Sequence, residues 1–76
     1  MAIDLLEFRR MCQFASAYGF ENVPKQYLVI YDGKTYIPYM RQERFVKGEP
    51  VNVGVIKDMC ANSYVHVNLE VLTKSD

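Results

Sequence analysis

Few side chains in this chain have reactive potential: one histidine, His66, and two cysteines, Cys12 and Cys60. An imidazole beside a thiol would make a base and its nucleophile, and two adjacent thiols would make a metal or redox pair. The spacing supports neither. The cysteines are far from a C-x-x-C arrangement, and His66 alternates with Tyr64, Asn68 and Glu70 along one short segment. The sequence contains no glycine-rich phosphate loop, no nucleophile elbow and no metal-ligand cluster. The expectation is a protein with no catalytic residue, no metal and no cofactor. A thiol- or His-dependent enzyme is the least favoured alternative. Nothing near the N-terminus resembles an export signal, so both thiols are read as reduced, buried and cytoplasmic.

The six tyrosines carry more information. Four of them fall in Tyr27-Leu28-Val29-Ile30-Tyr31 and Lys34-Thr35-Tyr36-Ile37-Pro38-Tyr39, two β-prone runs separated by Asp32-Gly33. In a hairpin with that turn, Tyr27, Val29, Tyr31, Tyr36, Pro38 and Met40 share one face, and Leu28, Ile30, Ile37 and Tyr39 share the other. Both faces are apolar, yet a single helix covers only one. The uncovered face then meets a partner, and tyrosine suits an interface because it combines a large ring with a water-tolerant hydroxyl. The expected protein-binding residues are Tyr27, Tyr31, Tyr36, Tyr39 and Arg41, with Arg44 at the rim. The alternative is a single-stranded nucleic-acid site of Tyr36, Tyr39, Arg41, Arg44 and Lys47, in which rings stack on bases and cations neutralise phosphates. Glu43 and Glu49 interrupt that basic run, and nine basic residues balance nine acidic ones over the whole chain. This is not the basic footprint of a dedicated nucleic-acid binder.

These residues must be positioned by one helix and several strands. Asp4 is a helix N-cap and Glu7 completes a capping box, while Ile3 and Phe8 are placed to form a hydrophobic staple. Gly19 stops the helix, with Phe20 folding back on Ala15. The helix is therefore expected at about residues 5–18. Phe8, Met11, Cys12, Phe14, Ala15 and Tyr18 form its apolar face, and Arg9, Arg10, Gln13 and Ser16 its polar face. After Pro24 the period changes to two. Tyr31 is expected opposite Lys34, Ile30 opposite Thr35, Val29 opposite Tyr36 and Leu28 opposite Ile37. Pro38 is expected to bend or end its strand or to lie at an edge. A second hairpin follows, with strands at 43–46 and 51–57 and a turn over Lys47-Gly48-Glu49-Pro50. Gly54 marks a bulge or a close backbone approach. In the alternating segment 64–72, Val65, Val67, Leu69 and Val71 point inward. Residues 73–76 are expected as a frayed tail.

With 76 residues, half of them hydrophobic, the chain is read as one domain over 1–76. The fold class is α+β: an N-terminal helix packed on a strongly curved four- or five-stranded antiparallel sheet spanning about residues 26–72. The Asp-Gly hairpin and the Gly48/Gly54 spacing are similar to small SH3-type open barrels over roughly two thirds of the chain, an analogy of architecture alone. No apolar run reaches the roughly 18 residues needed to span a bilayer, so no membrane role is expected. The functional expectation is a small non-enzymatic binding module inside the cell: an adaptor, a small subunit or an inhibitor, of the kind mobile elements encode. Its partner is a protein or, through an exposed strand edge, a second copy of itself.

Overall fold

The computed structural model describes residues 3–75. Its first element is helix α1, Leu5–Tyr18, which begins where the capping residues place it. The Asp4 carboxylate accepts the Glu7 N–H at 2.7 Å. The other half of the expected capping box does not form, because the Glu7 carboxylate instead takes the Lys74 ammonium at 3.0 Å. Ile3 and Phe8 are both buried in the main cluster, as a staple requires. At the other end Gly19 takes φ +84°, a region that L side chains avoid, and Phe20 packs toward Ala15.

Five strands follow: β1 Val29–Tyr31, β2 Lys34–Val46, β3 Glu49–Asp58, β4 Tyr64–Asn68 and β5 Thr73–Lys74. They form one antiparallel sheet in the order β4-β3-β2-β1-β5. The fold is therefore α+β. The sheet is not closed, because β4 and β5 lie at opposite edges. The first hairpin has the expected register, Tyr31 with Lys34, Ile30 with Thr35 and Val29 with Tyr36. Asp32 and Gly33 both take positive φ in its turn, which matches the twist of the flanking strands. Leu28 and Tyr27 fall outside β1, because residues Lys25–Tyr27 after Pro24 close a 3₁₀ turn.

The second hairpin differs from its expected form. Its turn is the dipeptide Lys47-Gly48, with φ +53° and +81°, and Pro50 lies within β3 opposite Phe45. The expected four-residue turn is thus replaced by two residues of positive φ, the geometry that best continues strand twist. β2 does not end at Pro38. It runs on to Val46, and the pairing shifts between Pro38 and Met40, leaving Tyr39 as the extra residue of a bulge. The missing proline N–H is tolerated there because β1 stops pairing at Tyr36, so β2 has a neighbour only on the β3 side.

The core lies between α1 and the sheet. Phe8 and Met11 meet Val29, Tyr36, Ile56, Val67, Leu69 and Leu72, while Ala15 packs in a second cluster with Leu28 and Ile37. Gly54 of β3 faces the Phe8 ring of the helix. A Cβ there would sit 2.8 Å from Leu69 Cδ2 and 3.0 Å from Phe8 Cζ, so only glycine leaves room for both side chains.

The C-terminal segment corrects two expectations. Asn68 Oδ1 accepts the Glu70 N–H at 3.1 Å and caps a 3₁₀ turn over Leu69–Val71. That turn breaks the two-residue period, so Val71 faces out at 54% exposure and Leu72 is completely buried. Residues 73–75 are not frayed. Thr73 and Lys74 pair with β1, and the Ser75 N–H donates to the Leu28 carbonyl at 3.1 Å. The last position of the expected tail, Asp76, lies outside the described residues.

Candidate functional site

The expected tyrosine face does not assemble as one surface. Tyr36 is only 9% exposed and belongs to the core. Tyr31 is half-buried beside it, with ring centroids 6.1 Å apart. Tyr27 is half-buried under the end of α1, stacked on Phe14 at 4.8 Å and on Tyr18 at 6.0 Å. Tyr39 is the one ring of the expected four with substantial exposure, 37%, and it leans on Phe20 and Tyr64. The physical reason is the size of the apolar interior. One helix, two 3₁₀ turns and a bent sheet cover more of the hairpin than a helix on one flat face would. The nucleic-acid set divides in the same way: Tyr36 is inside, Tyr39 and Arg41 lie at the bulge, and Arg44 and Lys47 stand at the far end of β2 and its turn.

What the structure exposes instead is a ribbon. β1 pairs with β2 only at residues 34–36, and β4 pairs with β3 only at residues 53–57. Beyond them the β2–β3 hairpin continues alone through Glu43–Asn52, Arg44–Val51, Phe45–Pro50 and Val46–Glu49. Residues 43–50 are all exposed, and Phe45, at 70%, is the most exposed large apolar side chain among the described residues. Val46 is exposed beside it. The molecule is accordingly elongated, 38 × 23 × 22 Å. At the root of the ribbon the Asn52 Oδ1 is buried with no hydrogen-bond partner among the described residues. Sequence reasoning missed the ribbon because Phe45 and Val46 resemble any other strand pair. The signal that could have found it is the length of β2 relative to its neighbours.

The remaining chemistry is muted. Burial pushes the Cys12 thiol up to about 12, so it is neutral at physiological pH and a poor nucleophile. Cys60 is exposed, which corrects the expectation that both thiols are buried; it sits in the turn after β3, where its N–H donates to Asp58 Oδ1 at 2.8 Å. His66 is exposed on β4. No group of three His, Cys, Asp or Glu side chains that could hold a metal occurs among the described residues. No described helix is long and apolar enough to cross a membrane.

Asp58 is the most constrained ionisable group. Its Oδ2 is ion-paired with Lys34, its Oδ1 holds the Cys60 N–H, and its own N–H donates to the Ser63 carbonyl. The Lys34 ammonium, aided by the Cys60 amide, lowers the Asp58 carboxyl below its ordinary range. A carboxylate favoured in the folded state stabilises the fold above its unfolded pKa, near 4. That contribution is lost as pH falls through the lowered folded value. In urea titrations across acid pH, Asp58→Asn is expected to lower the midpoint near neutrality and to converge with the parent as the pH falls through the lowered carboxyl value. Parallel curves at all pH values would refute this role for the carboxylate.

Comparison with known proteins gives no match to any family model, curated protein or solved structure.

Proposed function

We propose that the protein is a small non-enzymatic binding module, an adaptor, small subunit or inhibitor, that engages a protein partner through the β2–β3 ribbon. The observation that carries this reading is Phe45, 70% exposed at the end of a hairpin that no other strand pairs with. An exposed aromatic on a two-stranded arm is unfavourable in water, and burying it in a partner's pocket recovers that free energy. Pro50, directly opposite Phe45, extends the apolar surface on that face, Val46 adds an apolar side chain on the other face, and the exposed charges around them are mixed, Arg44 and Lys47 with Glu43 and Glu49. Of the residues read from the sequence as protein-binding, Arg44 remains in this surface. Tyr27, Tyr31 and Tyr36 support it by building the body from which the ribbon projects. Two unpaired thiols suit a reducing, cytoplasmic setting.

The partner is isolated with the intact chain as bait, and its affinity is then measured against variants. Phe45→Ala is expected to weaken binding by about 1–3 kcal/mol, as for a central interface aromatic, with the melting temperature unchanged. Light scattering over a concentration series identifies a second copy as the partner if a dimer forms and Phe45→Ala abolishes it. Unaltered affinity in both Phe45→Ala and Val46→Ala would discard the ribbon. Oligonucleotide binding with a steep salt dependence, in place of any protein partner, would favour the nucleic-acid reading.

A further inference from the structure

The polar face of α1 borders an open groove on the protein surface. Arg9, Gln13 and Ser16 lie along that face at intervals that bring them to one side of the helix, and they form one wall of this groove of about 650 Å³. Tyr39, Met40 and Arg41 of the β2 bulge form the opposite wall. The bulge is what brings them there. By inserting Tyr39 it shifts the phase of β2, so that Arg41 pairs with Gly54. Directly opposed residues share a sheet face, and the Cβ direction of Gly54 meets Phe8 of α1. Arg41 therefore leaves the sheet on the helix side, toward Arg9.

The charges in this groove are unbalanced. Arg9 and Arg41 line it, and no carboxylate does. Neither arginine joins an ion pair among the described residues, whereas Lys34 and Lys74 each have one. The neighbouring cleft under the start of α1 provides a contrast: there Arg10 and Lys74 are matched by Asp4 and Glu7. Two arginines on one groove leave its positive charge uncompensated, and an oxyanion bound there would offset that charge and accept from their N–H donors. Gln13 and Ser16 add an amide and a hydroxyl, and the exposed part of Tyr39 offers an aromatic surface at the groove's end.

We propose that this groove binds the phosphate group of a small ligand, with Arg9 and Arg41 on the phosphate oxygens and Tyr39 against whatever planar group carries the phosphate. The site is separate from the ribbon tip, so it stands whether or not Phe45 docks a protein.

The test is an NMR titration of the full chain with inorganic phosphate, with adenosine monophosphate and with adenosine. Phosphate and the nucleotide should shift the amides of Arg9, Gln13 and Arg41 saturably. Arg9→Gln and Arg41→Gln should each weaken binding about tenfold or more, the effect expected when a charged hydrogen-bond partner is lost. Raising the salt should also weaken it. Tighter binding of the nucleotide than of phosphate shows that Tyr39 reads the carrier; equal binding assigns the site to the free anion. Arg9→Glu, at an exposed helix position that leaves the core untouched, should abolish binding with an unchanged circular dichroism spectrum. The proposal is overturned if neither anion binds below about 10 mM, if adenosine binds as well as its monophosphate, or if the same shifts persist when both arginines are replaced.

Discussion

Phe8→Ala is expected to destabilise the domain by about 3–5 kcal/mol, the range for truncating a fully buried phenylalanine. A chain of 76 residues has a total stability of about 4–11 kcal/mol, so this single change removes at least about a quarter of it and, at the lower end of the range, nearly all. The ring is completely enclosed, and its Cζ is one of the atoms nearest the position a Gly54 Cβ would occupy. Its loss opens a cavity against Gly54 of β3, and the backbone of β3 cannot collapse into it without breaking its pairing with β2 and β4. Urea denaturation followed by circular dichroism measures the effect. Phe14→Ala is the control from the same apolar stripe of the sequence. Phe14 is exposed and chiefly stacks on Tyr27, an aromatic pair worth about 1 kcal/mol. Equal losses in the two variants would mean that α1 packs by a different face.

The second large effect is expected at the other end of the chain. Leu72→Ala should reduce stability by about 2–5 kcal/mol, whereas Val71→Ala should change it by less than about 0.5 kcal/mol. Simple alternation would assign these roles the other way round, with Val71 inside. The structure reverses them through the 3₁₀ turn capped by Asn68, which advances the chain by a fraction of a strand period and turns Leu72 into the main cluster. Leu72 also anchors β5: with it in place, Thr73 and Lys74 reach β1, and Lys74 reaches Glu7. In hydrogen exchange, Leu72→Ala should lose protection at the Ser75 amide before the β2–β3 amides open. A larger loss from Val71→Ala than from Leu72→Ala would contradict this packing.

Elements whose signals are local were legible in the residues. Asp4 and Gly19 bounded the helix because a cap is a property of a few adjacent residues. Asp32-Gly33 set the register of the first hairpin because both positions must take positive φ. Gly54 signalled a bulge or a close approach; the bulge lies at Tyr39 instead, and at Gly54 only a missing side chain admits Phe8 and Leu69. Harder to read were choices that depend on competition between distant groups. Glu7 could have closed its own capping box, but Lys74, reached only after the sheet forms, takes its carboxylate. Lys47-Gly48 could have been part of a longer turn, but the pairing of Phe45 with Pro50 draws the strands together.

The amino-acid order alone determined an α+β fold with one capped helix and a set of antiparallel strands, because periodicity, caps and turn residues act over neighbours in the chain. Tertiary structure decided which apolar surface stayed in water. The alternation marks Tyr27, Tyr31 and Tyr36 as candidates for exposure as readily as Phe45, since a strand has two faces and the sequence does not say what covers either. The helix, the bulge at Tyr39 and the tail strand bury or half-bury those three rings, while β2 and β3 outrun their neighbours and leave Phe45 uncovered. The groove of Arg9 and Arg41 has the same origin: two residues 32 positions apart share it only because the bulge and the helix bring them to one side of the sheet.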